Sequence, residues 1–144
     1  MYNGMKDATF LVVDDDDIDV EMVERAFRKL KIGNLIVRAT DGLDALDILR
    51  GTGGRKQLKQ PFIVLLDINM PRMSGLEFLE ELRQDAALRR TVVFVLTTSD
   101  DEMDILRCYE KNISGYIVKA RAGQSFEEAL KMLDHFSRVV ELPV

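Results

Sequence analysis

Phe62-Ile-Val-Leu-Leu-Asp67-Ile-Asn-Met-Pro71 runs through five apolar residues and stops on a carboxylate. A short apolar run without alternation, bounded by a turn signal, reads as a strand buried on both faces. Phe10-Leu-Val-Val13 repeats the pattern and ends on Asp14 and Asp15. Strands of this kind belong to parallel sheets covered by helices, and open sheets of that class bind ligands at the carboxyl ends of their strands. Three acids gathered there would repel by about 4 kcal/mol per pair at 4 Å and an effective dielectric of ~20. The pattern predicts a bound hard cation beside an aspartate that does chemistry.

Working outward, apolar runs alternate with helical patterns five times, which predicts a doubly wound α/β fold with a parallel sheet and crossover helices. The expected strands are Thr9–Val13, Leu35–Ala39, Phe62–Leu66, Val92–Leu96 and Gly115–Val118. Ile18, Met22, Val23, Ala26, Phe27 and Leu30 form a 3.6-period stripe after the first. Leu43, Leu46 and Leu49 mark a second helix, and Leu76, Leu79 and Leu82 a third. Phe126, Ala129, Leu130, Leu133 and Val140 mark the last. Ser74-Gly-Leu-Glu77, Ser99-Asp-Asp-Glu102 and Ser125-Phe-Glu-Glu128 each match the capping box that opens a helix. Asp17 is the expected N-cap of the first helix.

Composition narrows the function classes. At 144 residues, 47% hydrophobic and 31% charged, the chain is expected to form one globular domain over 1–144. No run approaches the ~20 apolar residues of a membrane span. The segment Met1-Tyr-Asn-Gly-Met-Lys6 lacks the apolar core of a signal peptide, so a cytoplasmic location is expected. The single cysteine, Cys108, excludes an intramolecular disulfide and reads as a small packed residue. His135, the only histidine, cannot build a zinc site with one thiol and reads as solvated. A net charge of −5 argues against nucleic-acid binding. The basic, glycine-rich stretch Arg50–Lys59 reads first as a solvated connection and second as a docking loop.

Asp14-Asp15, Asp67, Thr97 after Val92–Leu96, and Lys119 in Gly115-Tyr-Ile-Val-Lys119 together resemble the receiver domain of two-component response regulators. Leu96-Thr-Thr-Ser99, the long loop before Phe62 and the tail Val139-Val-Glu-Leu-Pro143 are most similar to the small stand-alone regulators that partner phytochromes. The resemblance implies a five-stranded sheet in the order 2-1-3-4-5 with five helices, the flavodoxin-like order. It implies phosphorylation of Asp67 by a sensor histidine kinase, of phytochrome type. It implies Mg2+, with Mn2+ as the alternative, held by Asp15, Asp67 and the backbone carbonyl of Asn69, with Asp14 acting largely through water. Lys119 would pair with a phosphoryl oxygen, or with Asp67 before phosphorylation. Thr97 would follow the phosphoryl group inward and Tyr116 would change rotamer with it. With little chain after the fifth helix, no output domain is expected. The signal would pass by protein contacts or by relay to a histidine phosphotransfer protein, and a homodimer paired by the C-terminal region is expected.

Rival chemistries fit less well. An EF-hand loop begun at Asp15 would need glycine and glutamate where Val20 and Ala26 stand. A phosphatase with an aspartate nucleophile would need a general acid where Asn69 stands. A flavin site would not set four aspartates, Asp14 to Asp17, where a phosphate must lie. A receiver-like module that acts without phosphorylation is opposed by the intact set of five residues. One departure from the receiver pattern follows Lys119, where most receivers have proline and this chain has Ala120. A cis bond before alanine costs roughly 3–4 kcal/mol, so a trans Lys119–Ala120 bond is expected, with Gly123 taking up the altered path at positive φ.

Overall fold

The computed structural model describes residues 7–119 and 125–143, Ser125 by its backbone alone. Five strands and five helices alternate: β1 (Thr9–Val13), α1 (Asp17–Lys29), β2 (Ile36–Ala39), α2 (Gly42–Arg50), β3 (Phe62–Leu66), α3 (Gly75–Gln84), β4 (Val93–Thr97), α4 (Glu102–Glu110), β5 (Gly115–Val118) and α5 (Ser125–Val139). The strands are all parallel, in the order 2-1-3-4-5. This is the flavodoxin-like order the receiver resemblance implied. Every residue of β3 and β4 is buried, as their unbroken apolar runs require. The expected Lys119–Ala120 bond geometry and the role of Gly123 lie outside the described residues, as do Val144 and the capping role of the Ser125 side chain.

Two cores flank the sheet. Leu11, Val13, Val64, Leu66 and Val95 pack with α2, α3 and Cys108 of α4, while Phe10, Val12, Ile63, Leu65 and Phe94 pack with α1 and α5. Alternate residues of one strand thus feed opposite cores, which is the period-2 rule at work. Cys108 is fully buried, as a packed residue should be, and His135 is exposed.

Several local expectations need correction. β2 begins one residue late, at Ile36, and β4 is shifted by one so that Thr97 is its last residue. The stripe on α1 is turned: Val20, Val23, Ala26 and Phe27 face the sheet, whereas Ile18 and Met22 are exposed. Leu43 on α2 is likewise exposed. Asp16 caps α1 in place of Asp17, accepting from the N–H groups of Ile18 and Asp19. The capping box at Ser74 forms with Glu77 as the sequence implies. At α4 the cap is Asp101, because the Ser99 hydroxyl turns instead to the Asp104 carboxylate. Asp41, unmarked by the sequence pattern, caps α2. None of the described helices is long and apolar enough to cross a membrane.

Candidate functional site

The pairing of Val13 with Leu66 sets the last residues of β1 and β3 side by side, and the Asp67 N–H continues the ladder to the Val13 carbonyl at 3.0 Å. Asp14 and Asp67 therefore leave adjacent strand ends, and one carboxylate oxygen from each of Asp14, Asp15 and Asp67 lies within 4.8 Å of the others. Asp14 and Asp67 are buried and Asp15 is exposed. The donors are hard oxygens throughout, which suits an ion of the magnesium or manganese class and none that prefers sulfur or imidazole.

The two buried acids are each held by a backbone N–H as well as by their strand. Asp14 Oδ1 accepts from the Asp16 N–H at 2.9 Å, and its Oδ2 accepts from Lys119 at 2.9 Å. Burial pushes the Asp14 carboxyl above its ordinary range, against the opposing pull of the Asp16 N–H and of Lys119. Asp67 Oδ1 accepts from the Thr97 hydroxyl at 2.7 Å and from the Asn69 N–H at 3.3 Å. Among the described residues no hydrogen bond reaches Asp67 Oδ2, so one oxygen is pinned and the other stays open. Thr97 is fully buried at the end of β4, where its hydroxyl can meet β3 only because the two strands are neighbours.

Lys119 departs from expectation. Among the described residues it makes no hydrogen bond to Asp67; its ammonium bridges Asp14 Oδ2 and, at 2.8 Å, Asp19 Oδ2. Burial alone would lower the Lys119 pKa, but the hydrogen bonds to Asp19 and Asp14 outweigh it and the group is held above its ordinary value. The Tyr116 hydroxyl donates to the Ser99 carbonyl at 2.9 Å, which ties β5 to the loop after β4. Asp14, Asp15, Asp67, Thr97 and Lys119 thus meet at the carboxyl end of the sheet, Tyr116 is tied through Ser99 to the loop after Thr97, and Asn69 folds back onto Asp67.

Three further residues build the site. Arg38 reaches from β2 under the loop that carries Asp14 and Asp15, donating to the Asp14 carbonyl through Nη2 at 3.0 Å and Nε at 3.2 Å, and to the Asp17 carboxylate through Nη1. An arginine inside the expected strand Leu35–Ala39 was the available signal. Arg72 at φ 64° pairs with the Asp41 carboxylate and ties the loop after β3 to the cap of α2. Asp19 sits in the first turn of α1, where its charge reads as a helix-end preference and its partner 100 residues away is invisible.

Known proteins resemble this chain in sequence and in fold. The response regulator receiver domain family matches residues 10–131. Response regulator Rcp1 of Synechocystis is 34% identical over 111 residues, covering 77% of this chain and 76% of Rcp1. The crystal structure of its Mn2+-bound form superposes with a TM-score of 0.83 at 30% identity, covering 95% of this chain and 99% of the other. The phosphorylated cyanobacterial phytochrome response regulator RcpA gives 0.85 at 28% identity, covering 96% and 100%. Family match, sheet order and strand-end acids agree, and the chain belongs to the response regulator receiver domains.

Proposed function

We propose that this chain is a cytoplasmic response regulator that accepts a phosphoryl group on Asp67 from a sensor histidine kinase. The observation that carries the reading is the convergence of Asp14, Asp15 and Asp67 within 4.8 Å, with Asp67 pinned at one oxygen by Thr97 and open at the other. In the transfer, Asp67 Oδ2 forms the new O–P bond while the N–P bond of a phosphohistidine breaks and its electron pair stays on the imidazole nitrogen. Magnesium, when bound, would supply charge neutralisation for the phosphoryl oxygens and the carboxylates. Asp15, Asp67 and the Asn69 carbonyl would hold it directly. Asp14, whose two oxygens already accept hydrogen bonds, would act through water. Thr97 would turn its hydroxyl from Asp67 to a phosphoryl oxygen, Lys119 would pair with another, and Tyr116 would change its contact with Ser99 as that loop responds.

Likeness to Rcp1 and to the phytochrome regulator RcpA supports a phytochrome-type kinase as the donor. Output would pass by protein contact or by relay to a histidine phosphotransfer protein. The exposed Val139 and Val140 at the end of α5 support pairing of two copies there, while Leu142 folds back on the core. Light scattering checks this: a monomer mass with and without phosphorylation removes the dimer.

Treatment with acetyl phosphate and magnesium, read by intact mass, should add one labile phosphoryl group that is absent in Asp67→Asn. Label persisting in that variant overturns the assignment. Steady turnover of small phosphomonoesters would favour a phosphatase instead.

A further inference from the structure

Lys119 leaves the end of β5 and places its ammonium between Asp14 and Asp19, with no hydrogen bond to Asp67 among the described residues. The three side chains are largely shielded, at 12% exposure for Lys119, 6% for Asp14 and 23% for Asp19. An ammonium carries three donors, and two are committed here. The two carboxylates differ in what else they do. Asp14 also accepts from Asp16 and belongs to the proposed cation set. Asp19 contributes to neither, and among the described residues Lys119 is its only ion-pair partner. A helix-end preference does not account for that bond, since Asp16 already caps α1 and Asp17 already places an acid in its first turn.

We propose that Asp19 is a positioning residue that holds Lys119 on the α1 side of the site, away from Asp67, until a phosphoryl group draws it off. The inference rests on Asp67 being the acceptor. A phosphoryl group is the stronger acceptor for an ammonium, and drawing Lys119 from the α1 side toward Asp67 weakens its bond to Asp19. Asp19 binds Lys119 in one state and competes for it in the other. A contact that differs between two states shifts their balance, and this one favours the unphosphorylated state. Asp19 thereby sets how strongly the site must be driven before it switches.

The probe is beryllofluoride with magnesium, a phosphoryl mimic whose bound fraction is read by 19F NMR. Asp19→Asn keeps the shape and removes the charge. Its apparent affinity should rise about three- to tenfold, the range set by loss of one largely shielded ion pair. Asp19→Glu, which keeps the charge, should stay near wild type. In a Lys119→Met background, Asp19→Asn should lose its effect; an equal gain there would mean a general charge effect and overturn the proposal. The wild-type chain offers a second measurement that needs no variant. On binding, the Lys119 side-chain 15N signal and the Asp19 carboxyl 13C signal should shift together, and an unmoved Asp19 signal overturns the proposal. Wild-type binding with no gain in Asp19→Asn overturns this inference alone. No binding by the wild-type chain overturns the acceptor reading and this inference with it.

Discussion

Gly75 opens α3 directly behind Asp67, the proposed acceptor. A β-carbon there would stand 2.5 Å from Ile68 Cα and 2.6 Å from the Asp67 carbonyl oxygen, and backbone cannot swing aside as a side-chain tip can. Gly75→Ala should therefore displace the Asp67–Ile68 segment, costing about 1–3 kcal/mol in urea unfolding and weakening magnesium binding in calorimetric titration. The ligands themselves should differ in weight. Asp15→Asn should weaken magnesium binding most and Asp14→Asn less, with unchanged affinity in the double variant ruling the site out. Cys108 gives a prediction with a sign. Burial, helped by the nearby Asp104 charge, pushes its thiol up to about 11. Folded and unfolded chains both keep that proton below pH ~8.5, so it contributes nothing there. Between about 9 and 11 the unfolded chain loses the proton first, so stability falls with a slope approaching 1.4 kcal/mol per pH unit. Unfolding series in Cys108→Ala should lack that part of the decline. At this scale the sequence revealed the acids, the threonine and the lysine, because each terminates an apolar run. It did not reveal Asp19, Arg38 or Gly75, whose partners are distant in the chain and whose residue types have common local uses.

Caps and stripes show where local rules suffice. Ser74 and Glu77 make the reciprocal bonds their spacing predicts, so Ser74→Ala should cost about 1 kcal/mol and lower the melting temperature by a few degrees in calorimetry. The same spacing at Ser99 misleads. Asp101 competes for the cap with a carboxylate, and Ser99 is left to bind Asp104 while its carbonyl receives Tyr116. On α1, Ile18 and Met22 form one row at helical spacing and are exposed, whereas Val20, Val23 and Phe27 form another that is just as regular and is buried with Ala26. Periodicity identifies the helix, but the angle at which it lies on the sheet decides which row is buried. β3 and β4 could be located almost to the residue, because strands buried on both faces admit few polar side chains. Edge strands β2 and β5 are only half-buried, so little burial signal marked β2's start.

Across the whole molecule, the site is assembled from parts that meet only when the sheet is complete, with 105 residues separating Lys119 from Asp14. Most of its components follow the ends of β1, β3, β4 and β5, on both sides of the point where the chain reverses its winding. Site and fold are therefore one cooperative unit, and anything bound there reports on both. The buried carboxyl of Asp14, raised above its ordinary range, marks a cost of folding that is present once the unfolded group ionises and is relieved as pH falls and the proton returns. Magnesium affinity should consequently fall as pH is lowered from neutrality toward the range in which Asp14 takes up its proton, read by calorimetric titration. Lys119, held above its ordinary value, works in the opposite sense: its contribution is complete below about pH 10.4 and is lost only as pH rises further. A ligand that neutralises the acids should stabilise the entire chain by mass action, by about 2.7 kcal/mol at a hundred times its dissociation constant. The same acids then bear on how long the molecule lasts. Where degradation tracks the population of opened chains, that stabilisation would lower the susceptible fraction by about a hundredfold. Limited digestion should slow on adding magnesium to the wild-type chain and not to the double variant of Asp14 and Asp15. In a living cell, the supply of a divalent ion would then help to set this protein's abundance.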